Sequence, residues 1–93
     1  MSDWNALLLH QDDDVIVTLT ALVPGDTIRV AGSERVFPNA VDAIPLAHKM
    51  ALRPLEAGTH IRKYGSVIGA ASQKIEPGAH VHIHNIKSRR AQV

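Results

Sequence analysis

The stretch Ile75-Glu76-Pro77-Gly78-Ala79-His80-Val81 belongs to a pattern that occurs three times in the chain. The other two copies are Leu22-Val23-Pro24-Gly25-Asp26-Thr27-Ile28 and Leu55-Glu56-Ala57-Gly58-Thr59-His60-Ile61. Each copy has an aliphatic residue three positions before its glycine and another three positions after it. Glycine after proline or alanine suits a turn with positive φ, and the aliphatic residues can fold inward from both sides of that turn. The pattern predicts three turns, each leading into a strand.

Further strands are predicted around these units. The β-branched run from Val15 to Thr20 favours a strand, and we interpret the preceding Asp12-Asp13-Asp14 as a solvated turn. Ile28-Arg29-Val30 alternates like a strand, and prolines limit any helix to a short turn. The expected fold is all-β, a barrel or clip of short strands. We expect these residues to be largely buried: Leu19, Leu22, Ile28, Leu52, Leu55, Ile61, Ile75, Val81 and Ile83.

Composition limits the classes of function. The 93 residues, of which 45% are hydrophobic, fit a single domain over 1–93, with a core of about 7–86 and a polar tail at 87–93. The absence of cysteine excludes disulfides and thiolate metal sites. A net charge of +1 and only three aromatic residues give no support for nucleic-acid binding. No apolar run is long enough to cross a membrane and the start lacks secretory signal features, so we expect a cytoplasmic protein.

The segment His80-Val81-His82-Ile83-His84-Asn85 carries the densest chemistry. As a strand it would place its three histidines on one face and its two aliphatic residues on the other. Such histidines can bind a metal, transfer protons near neutral pH, or donate hydrogen bonds to a carboxylate. A solvated strand face explains the spacing equally well. His48 is the one further internal histidine that could join a metal site, and the sequence does not fix its direction.

Cationic residues form a second group of candidates. His48-Lys49 and Arg62-Lys63-Tyr64-Gly65 could hold an anionic substrate through their cations and the phenol. A charged strand edge that discourages aggregation is the alternative interpretation.

Several motifs, taken in order, resemble the amino-terminal SAF domain of altronate and galactarate dehydratases. They are His48-Lys49-Met50-Ala51-Leu52, Lys63-Tyr64-Gly65, Ile68-Gly69 and Gly78-Ala79-His80-Val81-His82-Ile83-His84-Asn85, and the resemblance extends over nearly the whole chain. It implies the β-clip fold, which antifreeze-like and sialic acid synthase proteins also contain. It further implies a carbon–oxygen lyase that removes water from sugar acids and depends on a divalent metal, iron, held mainly by a large catalytic subunit.

On this resemblance, the chain is expected to be a non-autonomous small subunit. His82 and His84 are the catalytic candidates, and His80, His82 and His84 are the candidate metal ligands. The acidic substrate is expected to contact His48, Lys49, Lys63, Tyr64 and Asn85. Two other functions stay open, namely the small subunit of a sulfolactate sulfo-lyase and a non-catalytic module that binds carbohydrate acids. A homo-oligomer is also open.

Overall fold

The computed structural model describes residues 4–88, and this part of the chain contains seven β-strands and no helix. The strands form two antiparallel sheets, ordered β1-β2-β3-β6 and β4-β5-β7. The all-β prediction is confirmed, and the short strands with frequent turns are consistent with a small β-clip domain. The strands are β1 (Ala6–Leu7), β2 (Val15–Thr18), β3 (Lys49–Ala51), β4 (His60–Lys63), β5 (Ser66–Ala71), β6 (His80–Val81) and β7 (Ile86–Ser88).

The three repeated units form the predicted turns. Gly25, Gly58 and Gly78 have φ values of 95°, 88° and 86°, a region that glycine enters without steric cost. The turn at Gly58 leads into β4 and the turn at Gly78 leads into β6. The turn hypothesis is therefore confirmed at all three glycines.

The prediction of a strand at Ile28-Arg29-Val30 is wrong. Val30 makes only an isolated parallel bridge with Ala6. The side chain of Asn5 replaces the missing ladder, because its Nδ2 donates to the Thr27 carbonyl at 2.8 Å and its Oδ1 accepts from the Arg29 amide at 2.8 Å. A side chain that satisfies the backbone in this way removes the need for a paired strand.

Strands β2 and β3 separate two hydrophobic clusters. Ile16 and Met50 point into one cluster, while their neighbours Val15 and Ala51 point into the other, as alternation along paired strands requires. Both clusters thus share the same two strands. The predicted core residues that are buried are Leu22, Ile28, Leu52, Leu55, Ile61, Ile75 and Val81.

Two of the predicted core residues are exposed. Leu19 follows the end of β2 and is 39% exposed, since the chain bends directly after Thr18. Ile83 is 84% exposed because β6 ends at Val81 and the chain turns, so the alternation expected for residues 80–84 stops. The turn is closed by hydrogen bonds from the Asn85 and Ile86 amides to the His82 carbonyl, both 3.0 Å long.

The interpretation of Asp12-Asp13-Asp14 as a solvated turn is wrong for its second and third residues, which are buried. The Asp13 carboxylate accepts from the amides of Tyr64 and Gly65 at 2.6 and 2.8 Å, at the turn between β4 and β5. The Asp14 carboxylate accepts from Arg53 Nε at 2.7 Å and from the Arg62 amide at 2.8 Å. These carboxylates join the two sheets.

We expect Asp13→Ala to lower the free energy of unfolding by about 1–3 kcal/mol, because two backbone amides lose their acceptor. Urea denaturation measures the change. Asp12→Ala is the matched control, since Asp12 is exposed and its loss should cost no more than about 0.5 kcal/mol. Equal stability of the two variants would contradict a structural role for Asp13.

Lys87 and Ser88, the first two residues of the predicted polar tail, belong to β7, which pairs with β5. Residues 89–93 of the predicted tail lie outside the described residues. Within residues 4–88 there is no helix of the length and apolarity needed to cross a bilayer.

Candidate functional site

Four histidines, His48, His80, His82 and His84, lie together and are called the histidine cluster below. The ring centroids of His48 and His82 are 4.2 Å apart, and those of His48 and His80 are 5.0 Å apart. The His80 ring lies 5.5 Å from His82 and 5.2 Å from His84. The first three residues are half-buried and His84 is exposed. The cluster is therefore open to a ligand or to a partner.

Pairing of β3 with β6 brings His48 to the other histidines. In this register Met50 lies opposite His80 and Lys49 lies opposite Val81, so His48, directly before β3, lies close to the end of β6. A turn over Pro45, Leu46 and Ala47 precedes it, in which Ala47 has a φ of 67°. The sequence left the direction of His48 open, and this long-range pairing fixes it.

Asn85 holds the turn that carries His82 and His84. It is only 5% exposed, and its Nδ2 donates to the His80 carbonyl at 2.8 Å while its Oδ1 accepts from the His82 amide at 3.0 Å. Both polar atoms of this amide side chain thus fix the backbone of the cluster. Contact between Asn85 and substrate stays a prediction.

Three of the histidines could share a metal ion. One ring nitrogen from each of His48, His80 and His82 lies within 4.8 Å of the other two, and His48 Nδ1 is 2.8 Å from His80 Nε2. The sequence suggested His80, His82 and His84, whereas this geometry brings in His48 instead of His84. Imidazole is a ligand that suits zinc, copper, iron and nickel, so the donor set fits a divalent transition metal.

Burial and neighbouring cationic groups lower the pKa values of three side chains at this site. Partial burial lowers the pKa of His80, and the neighbouring His48, His84 and His82 lower it further. The pKa of His82 is lowered first by partial burial and then by the charges of His48, Lys49 and His84. Burial also lowers the pKa of Lys49, with a further contribution from the charge of Lys63. The lowered pKa values favour neutral imidazoles, which can accept protons at neutral pH.

The remaining predicted substrate contacts fall into two places. Lys63 ends β4 and interacts electrostatically with Lys49, which in turn interacts with His82. Tyr64 lies at the tip of the turn between β4 and β5, where the residue is 73% exposed and its φ is 56°. Lys49 therefore belongs to the region of the histidine cluster and Lys63 lies near Lys49, while Tyr64 contributes its backbone to the turn.

Sequence reasoning missed Asp42. Its Oδ2 accepts from the backbone amide of His80 at 2.9 Å, and its negative charge raises the pKa of His80 against the other influences. Asp42 and His80 are 38 residues apart, and no local motif marks the contact. Only the fold could reveal this residue.

Comparison with known proteins agrees with the fold and the motifs. The sequence profile of the altronate/galactarate dehydratase SAF domain matches residues 4–89. The altronate dehydratase of Bacillus subtilis (strain 168) is 34% identical over 85 residues, which is 91% of this chain and 16% of that enzyme. The altronate dehydratase of Escherichia coli (strain K12) is 34% identical over 80 residues, or 86% of this chain and again 16% of that enzyme. The chain thus spans about a sixth of these two relatives.

A different relative has a similar length. The (2R)-sulfolactate sulfo-lyase subunit alpha of Chromohalobacter salexigens is 35% identical over 88 residues, which cover 89% of this chain and 94% of that subunit. The matched family profile extends from one end of the described fold to the other and includes the whole histidine cluster. The chain therefore belongs to the altronate/galactarate dehydratase SAF domain family.

Proposed function

We propose that the chain is the SAF component of a sugar-acid dehydratase of the altronate/galactarate type. Its histidine cluster would border an active site shared with a large catalytic subunit, and it would help to bind the small acidic substrate. The observation that carries the proposal is the grouping of four imidazoles and Lys49 on a domain of this family, with Lys63 near enough to Lys49 to lower its pKa. Cations bind a carboxylate, and neutral imidazoles move protons.

Removal of water next to a carboxylate needs three groups. A base takes the proton from the carbon beside the carboxylate, a positive charge stabilises the enolate, and an acid protonates the departing hydroxyl. His82 or His84 would act as the base or the acid, and Lys49 and Lys63 would hold the carboxylate. A divalent metal, which we propose to be iron held mainly by the large subunit, would supply Lewis-acid stabilisation when bound.

The chain alone should show no appreciable turnover, because these residues do not make a complete site for elimination. The test is to isolate the protein with its native partners and identify any large chain that resembles the rest of an altronate dehydratase. Altronate and galactarate are then assayed with the isolated chain, with the large chain and with the complex, each supplied with Fe²⁺. Dehydration is expected in the complex only. Full activity of either chain alone would contradict the proposal.

A second candidate function is that of a sulfolactate sulfo-lyase subunit. The observation that favours it is the similarity to the alpha subunit of such an enzyme over 94% of that subunit. The same complex assayed with sulfolactate would release sulfite in that case, and altronate and galactarate would remain unchanged. A complex that binds sugar acids and turns over none of these substrates would instead identify a binding module.

A further inference from the structure

We propose that this chain has a metal site of its own, in which His48, His80 and His82 bind one divalent transition-metal ion such as Zn²⁺ and leave a fourth coordination position open. This site is separate from the iron that we assign mainly to the large subunit. When an ion occupies it, a ring nitrogen of His82 is a ligand, and proton transfer falls to His84. The proposal does not depend on the proposed function, because it concerns only the affinity of this chain for a metal.

The donor atoms lie at distances close to those that one ion requires. Zinc–nitrogen bonds of about 2.0–2.1 Å place two tetrahedral ligands about 3.3 Å apart. His48 Nδ1 and His80 Nε2 are 2.8 Å apart, so they must separate by about half an ångström, and the third nitrogen, at most 4.8 Å away, must approach. These shifts are small for side chains at a half-exposed surface.

The rings of the three histidines must rotate to bind one ion. His48 and His82 are stacked with 23° between their planes, and His80 and His82 with 11°, so the rings must rotate for their nitrogens to converge on one ion. Two features of the backbone hold the three histidines next to one another. Antiparallel pairing of β3 with β6 fixes His48 relative to His80, and the buried Asn85 fixes the turn that carries His82. Metal binding would therefore require side-chain rotation on a fixed backbone.

The chemistry of the three donors selects the kind of metal. Three imidazoles form the ligand set of catalytic zinc sites that keep one position for water or substrate. They also suit cobalt and nickel, whereas calcium and magnesium prefer oxygen ligands. His84 is exposed and lies beside His80, outside the group of converging nitrogens. We therefore assign the open position to a small ligand and not to His84.

Titration of the full chain with Co²⁺ tests the site, after removal of any affinity tag and stripping with a chelator. Visible absorption should show one tetrahedral Co²⁺ per chain, displaced by Zn²⁺ and not by Mg²⁺. His48→Ala, His80→Ala and His82→Ala should each weaken binding at least about tenfold, since loss of an outer-shell partner alone costs about 10–100-fold. His84→Ala and His60→Ala, which change exposed histidines outside the converging group, should bind like the unmodified chain.

Nuclear magnetic resonance of the unmodified protein gives an independent readout should a variant fail to fold. Substoichiometric Co²⁺ should broaden the ring signals of His48, His80 and His82 before those of His60. Absence of saturable binding, or binding that survives His48→Ala unchanged, would overturn the assignment. If the proposed complex shows no lyase activity while this chain still binds Co²⁺, the proposed function is contradicted and the metal site is not.

Discussion

Gly78→Ala should be among the most destabilising single substitutions in the chain, with an expected loss of about 2–6 kcal/mol in the free energy of unfolding. About half comes from backbone strain at a φ of 86°, a region that residues with a Cβ rarely adopt. The other half comes from overlap, because a Cβ at this position would collide with the carbonyl oxygen of Asn39 and press on Val41.

Gly58→Ala is the matched control for Gly78→Ala. Gly58 occupies the equivalent turn with a φ of 88°, yet a Cβ there would meet no atom within 4 Å. Its substitution should cost only the strain, about 1–3 kcal/mol. Urea denaturation of both variants separates strain from overlap. Equal losses in the free energy of unfolding would show that the overlap with Asn39 does not destabilise the protein. A total stability of about 5–15 kcal/mol is usual for a small domain, so Gly78→Ala could remove most of it.

The contrast between these glycines shows what the sequence could predict. Positive φ follows from the local pattern of proline or alanine before glycine, and all three turns were predicted from it. The collision at Gly78 depends on the segment around Asn39, whose Val41 amide donates to the Gly78 carbonyl at 2.9 Å. That contact joins residues 37 positions apart in sequence, and no periodicity encodes it. Local conformation was therefore predictable, and tertiary packing was not.

The histidine cluster shows the same division. Alternation predicted that His80, His82 and His84 share a face, and these histidines do lie together. The reason is different, since β6 ends at Val81 and a turn fixed by Asn85 carries the last two. His48 joins them through strand pairing across 32 residues. Asp13 and Asp14 were misread because their partners, the amides of residues 62, 64 and 65, lie on a distant hairpin.

His82→Ala and His84→Ala should lower the activity of the proposed lyase complex far more than they lower the stability of this chain. Alternation over residues 80–84 would place Val81 and Ile83 in the core and the histidines outside it. Ile83 is exposed, so the positions of the histidine rings themselves decide the outcome. His82 is half-buried and His84 is exposed, and truncation of either leaves no internal cavity.

The expected change in kcat is large and the expected change in stability is small. Loss of a group that transfers a proton in the transition state lowers kcat by about 10²–10⁴-fold. Loss of a surface side chain changes the free energy of unfolding by no more than about 0.5 kcal/mol. His60→Ala, an exposed histidine on β4, is the control and should change neither quantity.

Kinetics of the reconstituted complex and thermal denaturation of each isolated variant together test this expectation. A structural role for the imidazoles would give the opposite result, a loss of about 1–3 kcal/mol in stability with activity reduced only in proportion to unfolding. We expect lost activity with little loss of stability, because the hydrogen bonds that hold this turn come from Asn85 and from main-chain atoms. The rings of His82 and His84 contribute none of them. Unchanged activity combined with lowered stability would remove both histidines from the active site.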